Sequence, residues 1–158
     1  NSDLEVVSIF QPITEELLNI ALSIIDSNPQ YNILENGNPT RILNDIKNEF
    51  LNQNTESYLI LLDNQYVGII DFLSNNPNDN CPWIGLLMIH GKFHSQGYGK
   101  LVYTLFEERL KQQGYTKVRI GVMEENKAAK RFWIAMGFRF YAKKHWENKV
   151  IECYEKCF

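Results

Sequence analysis

Apolar residues in this chain recur in two rhythms, and the switches between them mark out the elements. Residues 4–10 are β-rich, with Val6, Val7 and Ile9, and predict a short strand that Pro12 ends. Thr14 stands where a helix N-cap belongs, and Glu15 and Glu16 follow it at the positive end of the helix. Leu17, Leu18, Ala21, Ile24 and Ile25 then repeat at helical spacing until Asn28-Pro29. Residues 32–38 read as a polar turn. A second helix is expected from Thr40, burying Ile42, Leu43, Ile46 and Phe50. Residues 58–62 and 66–73 predict two strands around the turn Asp63-Asn64-Gln65. Residues 74–82, rich in Asn, Asp and Pro, predict a loop, and 83–90 a further apolar strand.

The second half is more sharply patterned. Residues 100–113 predict an amphipathic helix with Leu101, Val102, Leu105, Phe106 and Leu110 on its core face. Glu107 and Lys111 are spaced as an ion pair, and Gly114 is the stop. Residues 117–122 alternate, with Val118, Ile120 and Val122 on one face. Residues 126–136 are helical, with Ala129, Phe132, Trp133 and Met136 in one stripe, and Gly137 ends them. Residues 138–146 and 150–157 predict two last strands around Glu147-Asn148-Lys149. The order β-α-α-β-β-β-α-β-α-β-β describes one α+β domain over 1–158, a mostly antiparallel sheet flanked by helices.

Composition narrows the class. The chain has 158 residues, 44% hydrophobic and 22% charged, enough for one domain with a hydrophobic core. No apolar run approaches the ~20 residues that span a bilayer, so no membrane partner is expected. Residues 1–5 have neither a basic region nor an apolar core, so no signal peptide is expected. Cys81, Cys153 and Cys157 form no CxxC pair and suit free thiols in a reducing cytoplasm. Residues 1–90 hold two basic side chains against twelve acidic ones, and residues 91–158 hold fourteen against seven. A basic half suits a polyanion and an acidic half suits an amine. The net charge of −3 and the lack of a recognised motif argue against nucleic acid.

The chemically informative segment is 88–100, Met88-Ile89-His90-Gly91-Lys92-Phe93-His94-Ser95-Gln96-Gly97-Tyr98-Gly99-Lys100. A strand ends, a turn follows, and a long helix begins. The first helical turn carries N–H groups without internal partners and the positive end of the dipole. Gly97 and Gly99 let a phosphate approach those groups closely, and Lys100 adds charge. The turn is neither a nucleotide P-loop, since GxxxxGK[ST] is absent, nor a dinucleotide fingerprint, since a third Gly and an early βαβ unit are absent. His90 and His94 are four apart, but Gly91 disfavours a helical metal pair and no third ligand is evident, so no metal is expected.

Residues 83–138 resemble the GNAT superfamily of acyl-CoA-dependent N-acetyltransferases. The family's [Q/R]-x-x-G-x-[G/A] signature aligns with His94-Ser95-Gln96-Gly97-Tyr98-Gly99, with His94 departing from the usual Gln or Arg. A second family element, Asn-x-x-Ala followed by an aromatic pair and Gly-Phe, matches Asn126 to Phe138. The resemblance implies a GNAT-like splayed sheet and acetyl-CoA as co-substrate, with no metal. Backbone groups of Met88 and Ile89 would hold the pantetheine arm. The turn His94–Lys100 would hold the pyrophosphate, and Asn126 and Trp133 would face the cofactor from the other side. The implied reaction is direct acetyl transfer to a primary amine of a small molecule or peptide, with the Ile89 N–H on the oxyanion.

The family's usual acid, a Tyr, is replaced by Trp133, whose indole N–H gives up no proton near neutral pH. Tyr141 and Tyr154 are the substitutes to examine, with solvent as an alternative donor. Asp71, Glu124 and Glu125 are the candidate bases. Tyr31, Asn32 and Glu35 are candidates to line the acceptor pocket, which in the family comes from the early helices, the hairpin and the last strands. The departure at Trp133 also leaves open a non-catalytic acyl-CoA sensor of the same fold. Pairing of the last strands between two chains would give a homodimer.

Overall fold

The computed structural model describes residues 9–158. Most of the strand expected over 4–10 therefore lies outside the described residues, and β1 is Phe10–Pro12. It is followed by α1 (Leu18–Asp26), α2 (Pro29–Asn36), α3 (Leu43–Phe50), β2 (Glu56–Leu62), β3 (Gln65–Asn76) and β4 (Cys81–Ile89). Then come α4 (Tyr98–Gln112), β5 (Lys117–Met123), α5 (Lys127–Ala135), β6 (Arg139–Trp146) and β7 (Lys149–Cys157). The strands form one sheet in the order β1-β2-β3-β4-β5-β7-β6. Every neighbouring pair is antiparallel except β4 with β5. The expected α+β class and mostly antiparallel sheet are borne out.

Alternation along the strands sends successive side chains to opposite faces. Leu59, Ile69 and Met88 face α1 and α3, meeting Ile24, Ile25, Ile46 and Phe50. Ile60, Ile70, Ile84 and Ile120 face the other way, against Val102, Phe106 and Leu110 of α4 and Trp133 of α5. The β2–β3 turn is tight because Asp63 (φ 49°) and Asn64 (φ 62°) both take left-handed backbone, the conformation a two-residue hairpin needs.

Several local expectations change. The expected polar turn at 32–38 is mostly helix α2. Pro29 sits in its first turn, where a missing N–H costs nothing, and Gly37 (φ 78°) closes it. Asn32 reads as a turn residue but is buried, its Nδ2 donating to the carbonyls of Ile25 and Pro39 at 2.8 Å each. Thr14 makes no side-chain cap, and a short 3-10 turn at Glu15–Leu17 precedes α1. The loop expected over 74–82 is shorter, because β3 continues to Asn76 and Cys81 opens β4. On α4 the buried face is Val102, Tyr103, Phe106 and Leu110, while Leu101 and Leu105 are exposed. Glu107 and Lys111 do pair, at 3.2 Å. No helix among the described residues is long and apolar enough to cross a membrane.

Candidate active site

β4 and β5 stay together for two residue pairs, Trp83 with Arg119 and Ile84 with Ile120, and then diverge. The ladder between β4 and β3 decides which backbone groups face the resulting gap. Met88 lies opposite Ile69, and the His90 N–H reaches the Val67 carbonyl at 2.8 Å. Bonded and non-bonded pairs alternate in an antiparallel ladder. Met88 and His90 therefore direct their backbone groups to β3, and Leu87 and Ile89 direct theirs into the gap. The expected backbone contact of Met88 is therefore not offered to the gap: Met88 borders the cleft, but its peptide groups bond β3 and its side chain packs with α1 and α3. The residue missed was Leu87, because backbone direction depends on register and not on side-chain identity.

The Ile89 carbonyl accepts from Asn28 Nδ2 at 3.0 Å and from His94 Nε2 at 2.9 Å. Its N–H remains for a ligand in the gap. His94, expected beside a phosphate, thus braces the end of β4 with its Nε2–H, and only Nδ1 is left to face outward. Gly91 completes the brace: its N–H donates to Ser27 Oγ at 2.9 Å, and any Cβ there would lie 2.4 Å from the Ser27 carbonyl. Neither Asn28 nor Ser27 carries a local sequence signal for this role, since Asn28-Pro29 reads only as a helix stop.

The turn into α4 holds Ser95 (φ 62°) and Gly97 (φ 80°) in left-handed backbone. Gly97 is the N-cap and no side chain caps this helix, so the N–H groups of Tyr98, Gly99 and Lys100 point outward unpaired. The two glycines serve different ends. Gly97 has open space where a Cβ would be, and its φ is the constraint. A Cβ on Gly99 would lie 3.1 Å from Cε1 of Phe132, so Gly99 lets α4 and α5 approach. Gln96 folds its amide back toward the Lys92 carbonyl at 3.4 Å, leaving its backbone to the turn, and Lys100 is exposed in the first turn of α4.

Three cavities meet here. A cleft of about 290 Å³ runs between β4, the turn and α5, lined by Leu87, Ile89, Phe93, Tyr98, Phe132 and Trp133 among others. A narrow space of about 70 Å³ fills the gap between β4 and β5, reaching Leu86, Gly121 and Asn126. A more polar cavity of about 410 Å³ opens beyond it under α2 and the β6–β7 hairpin, with Glu35, Glu49, Arg41 and Trp146 in its walls. The residues present fit an acyl-CoA. Outward N–H groups at the α4 terminus suit a pyrophosphate, the apolar cleft suits the pantetheine chain, and the Leu87 and Ile89 peptide groups suit its amides.

Asn126 lines the gap while its Oδ1 accepts from the Ala129 N–H at 3.1 Å, capping α5. Trp133 is buried at the cleft floor, edge-on to Tyr103, Phe132 and Phe138. Asp71 stands behind the acceptor-side wall, its Oδ2 3.0 Å from the point where Gly85 would carry a Cβ. Its Oδ1 accepts from Ser57 Oγ at 2.5 Å and from Thr55 Oγ1, while burial raises its pKa above the ordinary carboxylate value.

The remaining acid and base candidates are not brought to the cleft. Glu124 pairs with Lys143 at 2.8 Å on the surface, and that ammonium lowers its pKa. Glu125 is exposed. Tyr141 lies against Arg119, whose guanidinium is 4.5 Å from the ring centroid, in a separate hollow with Glu155 and Lys156. Tyr154 is buried under α5, its hydroxyl donating to Glu152 at 2.7 Å, and burial pushes its phenol up to about 12. For Tyr141 the strand order is the cause, since β6 lies beyond β7 at the edge of the sheet, away from β4.

Residues 21–138 match the model of the Acetyltransferase (GNAT) family, well over half of the chain. An acetyltransferase from Thermus thermophilus superposes with a TM-score of 0.82 at 21% identity, covering 98% of this chain and 100% of that one. A GNAT family acetyltransferase from Elizabethkingia anophelis with acetyl-CoA bound gives 0.61 at 18% identity, covering 72% and 82%. The acetyltransferase from Salmonella typhimurium that modifies the N-terminal serine of ribosomal protein L7/L12 gives 0.77 at 13%, covering 94% of both chains. These likenesses establish the fold. No curated protein sequence matches significantly. The chain belongs to the acetyltransferase (GNAT) family and is an acyltransferase.

Proposed function

We propose that this acyltransferase moves the acetyl group of acetyl-CoA to a primary amine, on a small molecule or a peptide, by direct attack in a ternary complex. The observation that carries the reading is the meeting of an apolar cleft and a polar cavity at one gap, beside the Ile89 N–H that the β3–β4 register turns away from β3. Acetyl-CoA, when bound, supplies an activated thioester. The turn from Ser95 to Lys100 and the Leu87 and Ile89 peptide groups hold and orient it, and Asn126 closes the far side of the gap. The Ile89 N–H stabilises negative charge on the carbonyl oxygen as the amine adds. Holding both reactants on one gap supplies most of the catalysis. Three free thiols among the described residues support a reducing cytoplasmic setting.

The Salmonella neighbour's action on a protein N-terminus and the polar cavity under α2 set the acceptor panel: spermidine, tyramine and a short peptide with a free N-terminal serine. Thiol release from acetyl-CoA is measured with each, beside calorimetry of cofactor binding. Turnover with at least one amine is expected. Absence of acetyl-CoA binding at high micromolar concentration would overturn the reading, and tight binding without transfer to any amine would mark a sensor.

A further inference from the structure

We propose that Tyr31 and Glu35 form the proton relay of this site, Glu35 taking a proton from the acceptor nitrogen and Tyr31 giving one to the departing sulfur. The inference rests on the acetyl-transfer reading above. Its first ground is position. Among the described residues, Tyr31 is the one that lines the cofactor cleft, the gap and the acceptor cavity alike. Glu35, one turn further along α2, lines the gap and the acceptor cavity. The Tyr31 hydroxyl donates to Glu35 Oε1 at 3.2 Å, so the two groups form a chain leading from the acceptor side to the cofactor side.

The second ground is that α2 is held firmly where it presents them. Asn28 and Asn32 tie it to α1 and to the Ile89 carbonyl, and Lys149 Nζ donates to the Glu35 carbonyl from the β6–β7 hairpin. The third is need. Trp133 supplies no proton, and Tyr141 and Tyr154 lie elsewhere.

The chemistry balances. The acceptor nitrogen forms a bond to the acetyl carbon as the carbon–sulfur bond breaks. The nitrogen loses a proton to Glu35, the sulfur gains the Tyr31 hydroxyl proton, and the proton on Glu35 returns to Tyr31. One proton has moved from nitrogen to sulfur, and both side chains end as they began. Burial first, and the Glu35 carboxylate second, hold the Tyr31 phenol well above its ordinary range. Tyr31 therefore stays protonated as a donor, and alone it would be a reluctant acid. The relay removes that obstacle, because Glu35 returns a proton as Tyr31 releases one and no phenolate stands beside a carboxylate.

The test uses Tyr31→Phe and Glu35→Gln in the full chain. Calorimetry near pH ~9, where a thiol is partly ionised, compares CoA, desulfo-CoA and acetyl-CoA. Wild type is expected to prefer CoA over desulfo-CoA about tenfold through the Tyr31 hydrogen bond to the thiolate. Tyr31→Phe is expected to lose that preference and to bind acetyl-CoA as wild type does, which also shows that it is folded. With the fastest acceptor of the panel, kcat is expected to fall about 10²-fold in each variant, with KM for acetyl-CoA unchanged. A retained CoA preference in Tyr31→Phe, or kcat within about threefold of wild type in either variant, overturns the relay while leaving acetyl transfer standing. A wild type that does not turn over overturns both. If Tyr31→Phe fails to fold, Glu35→Gln, which keeps the ring in place, decides by the split between kcat and KM.

Discussion

The Nδ2 amide of Asn28 donates to the carbonyl oxygen of Ile89 across 3.0 Å, joining two residues 61 positions apart. The same amide group also reaches the Ile24 carbonyl at 3.0 Å. The segment between α1 and α2 is thereby pinned to the end of β4 that borders the cleft, and the orientation of the Ile89 carbonyl is set by it. Asn28→Leu leaves that carbonyl to His94 alone. It is expected to cost about 1–3 kcal/mol of stability and to weaken acetyl-CoA binding. Thermal unfolding and calorimetry measure the two effects, and unchanged cofactor affinity would show that Ile89 needs no such brace.

Gly97 and Gly99 are expected to fail differently when given a methyl group. Gly97→Ala imposes left-handed backbone on a residue with a Cβ, at about 1–2 kcal/mol, and opens the turn that presents the α4 N–H groups. Gly99→Ala pushes on the Phe132 ring instead. The first should weaken CoA and its pyrophosphate fragment alike. The second should weaken CoA more, because Phe132 lines the cleft for the pantetheine chain. Calorimetry with both ligands separates them.

Trp133→Tyr restores the aromatic hydroxyl found at this place in the family signature. The indole here is 8% exposed and makes edge contacts with three rings, so trimming it is expected to cost about 1–3 kcal/mol. With Tyr31 already supplying the proton, kcat should not rise. A severalfold increase would place proton donation at 133 and argue against the relay.

Asp71 gives a pH signature in stability. Burial raises its folded-state pKa above the ordinary aspartate value, so the native state keeps a proton that the unfolded chain has released. Its contribution is full in acid and is lost as the pH rises through the folded pKa. Asn cannot ionise. The stability of Asp71→Asn relative to wild type should therefore grow from about pH 4 upward. Urea titrations at several pH values test this, and a pH-independent difference would contradict it.

Tyr141→Phe and Glu124→Gln should leave acetyl transfer within about twofold of wild type, since Tyr141 of β6 faces Arg119 of β5 and Glu124 pairs with Lys143 outside the cleft. A large fall in kcat for either would return it to the reaction.

Periodicity and turn chemistry were enough to place most elements, because each helix and strand here carries its own apolar stripe. The failures were local and have a common form. Residues 32–38 read as a turn because Asn32 is polar, yet its amide bonds the Ile25 and Pro39 carbonyls, partners seven residues away on either side that no turn pattern names. Leu101 and Leu105 are apolar yet exposed, because the face of α4 that meets the sheet carries Val102, Tyr103, Phe106 and Leu110 instead.

The site divides along the same line. The sequence by itself determined the glycine turn and the helix that follows it, because these depend on backbone conformation and near neighbours. Tertiary structure alone decided that Leu87 rather than Met88 offers its peptide to the gap, which follows from strand register. It alone carried Tyr141 away from the cleft, through the strand order that puts β6 at the edge of the sheet. It alone brought Tyr31 and Glu35 from an early helix to the place where β4 and β5 part. Contacts across the fold depend on how elements pack, and no local pattern encodes the distance between residue 31 and residue 133.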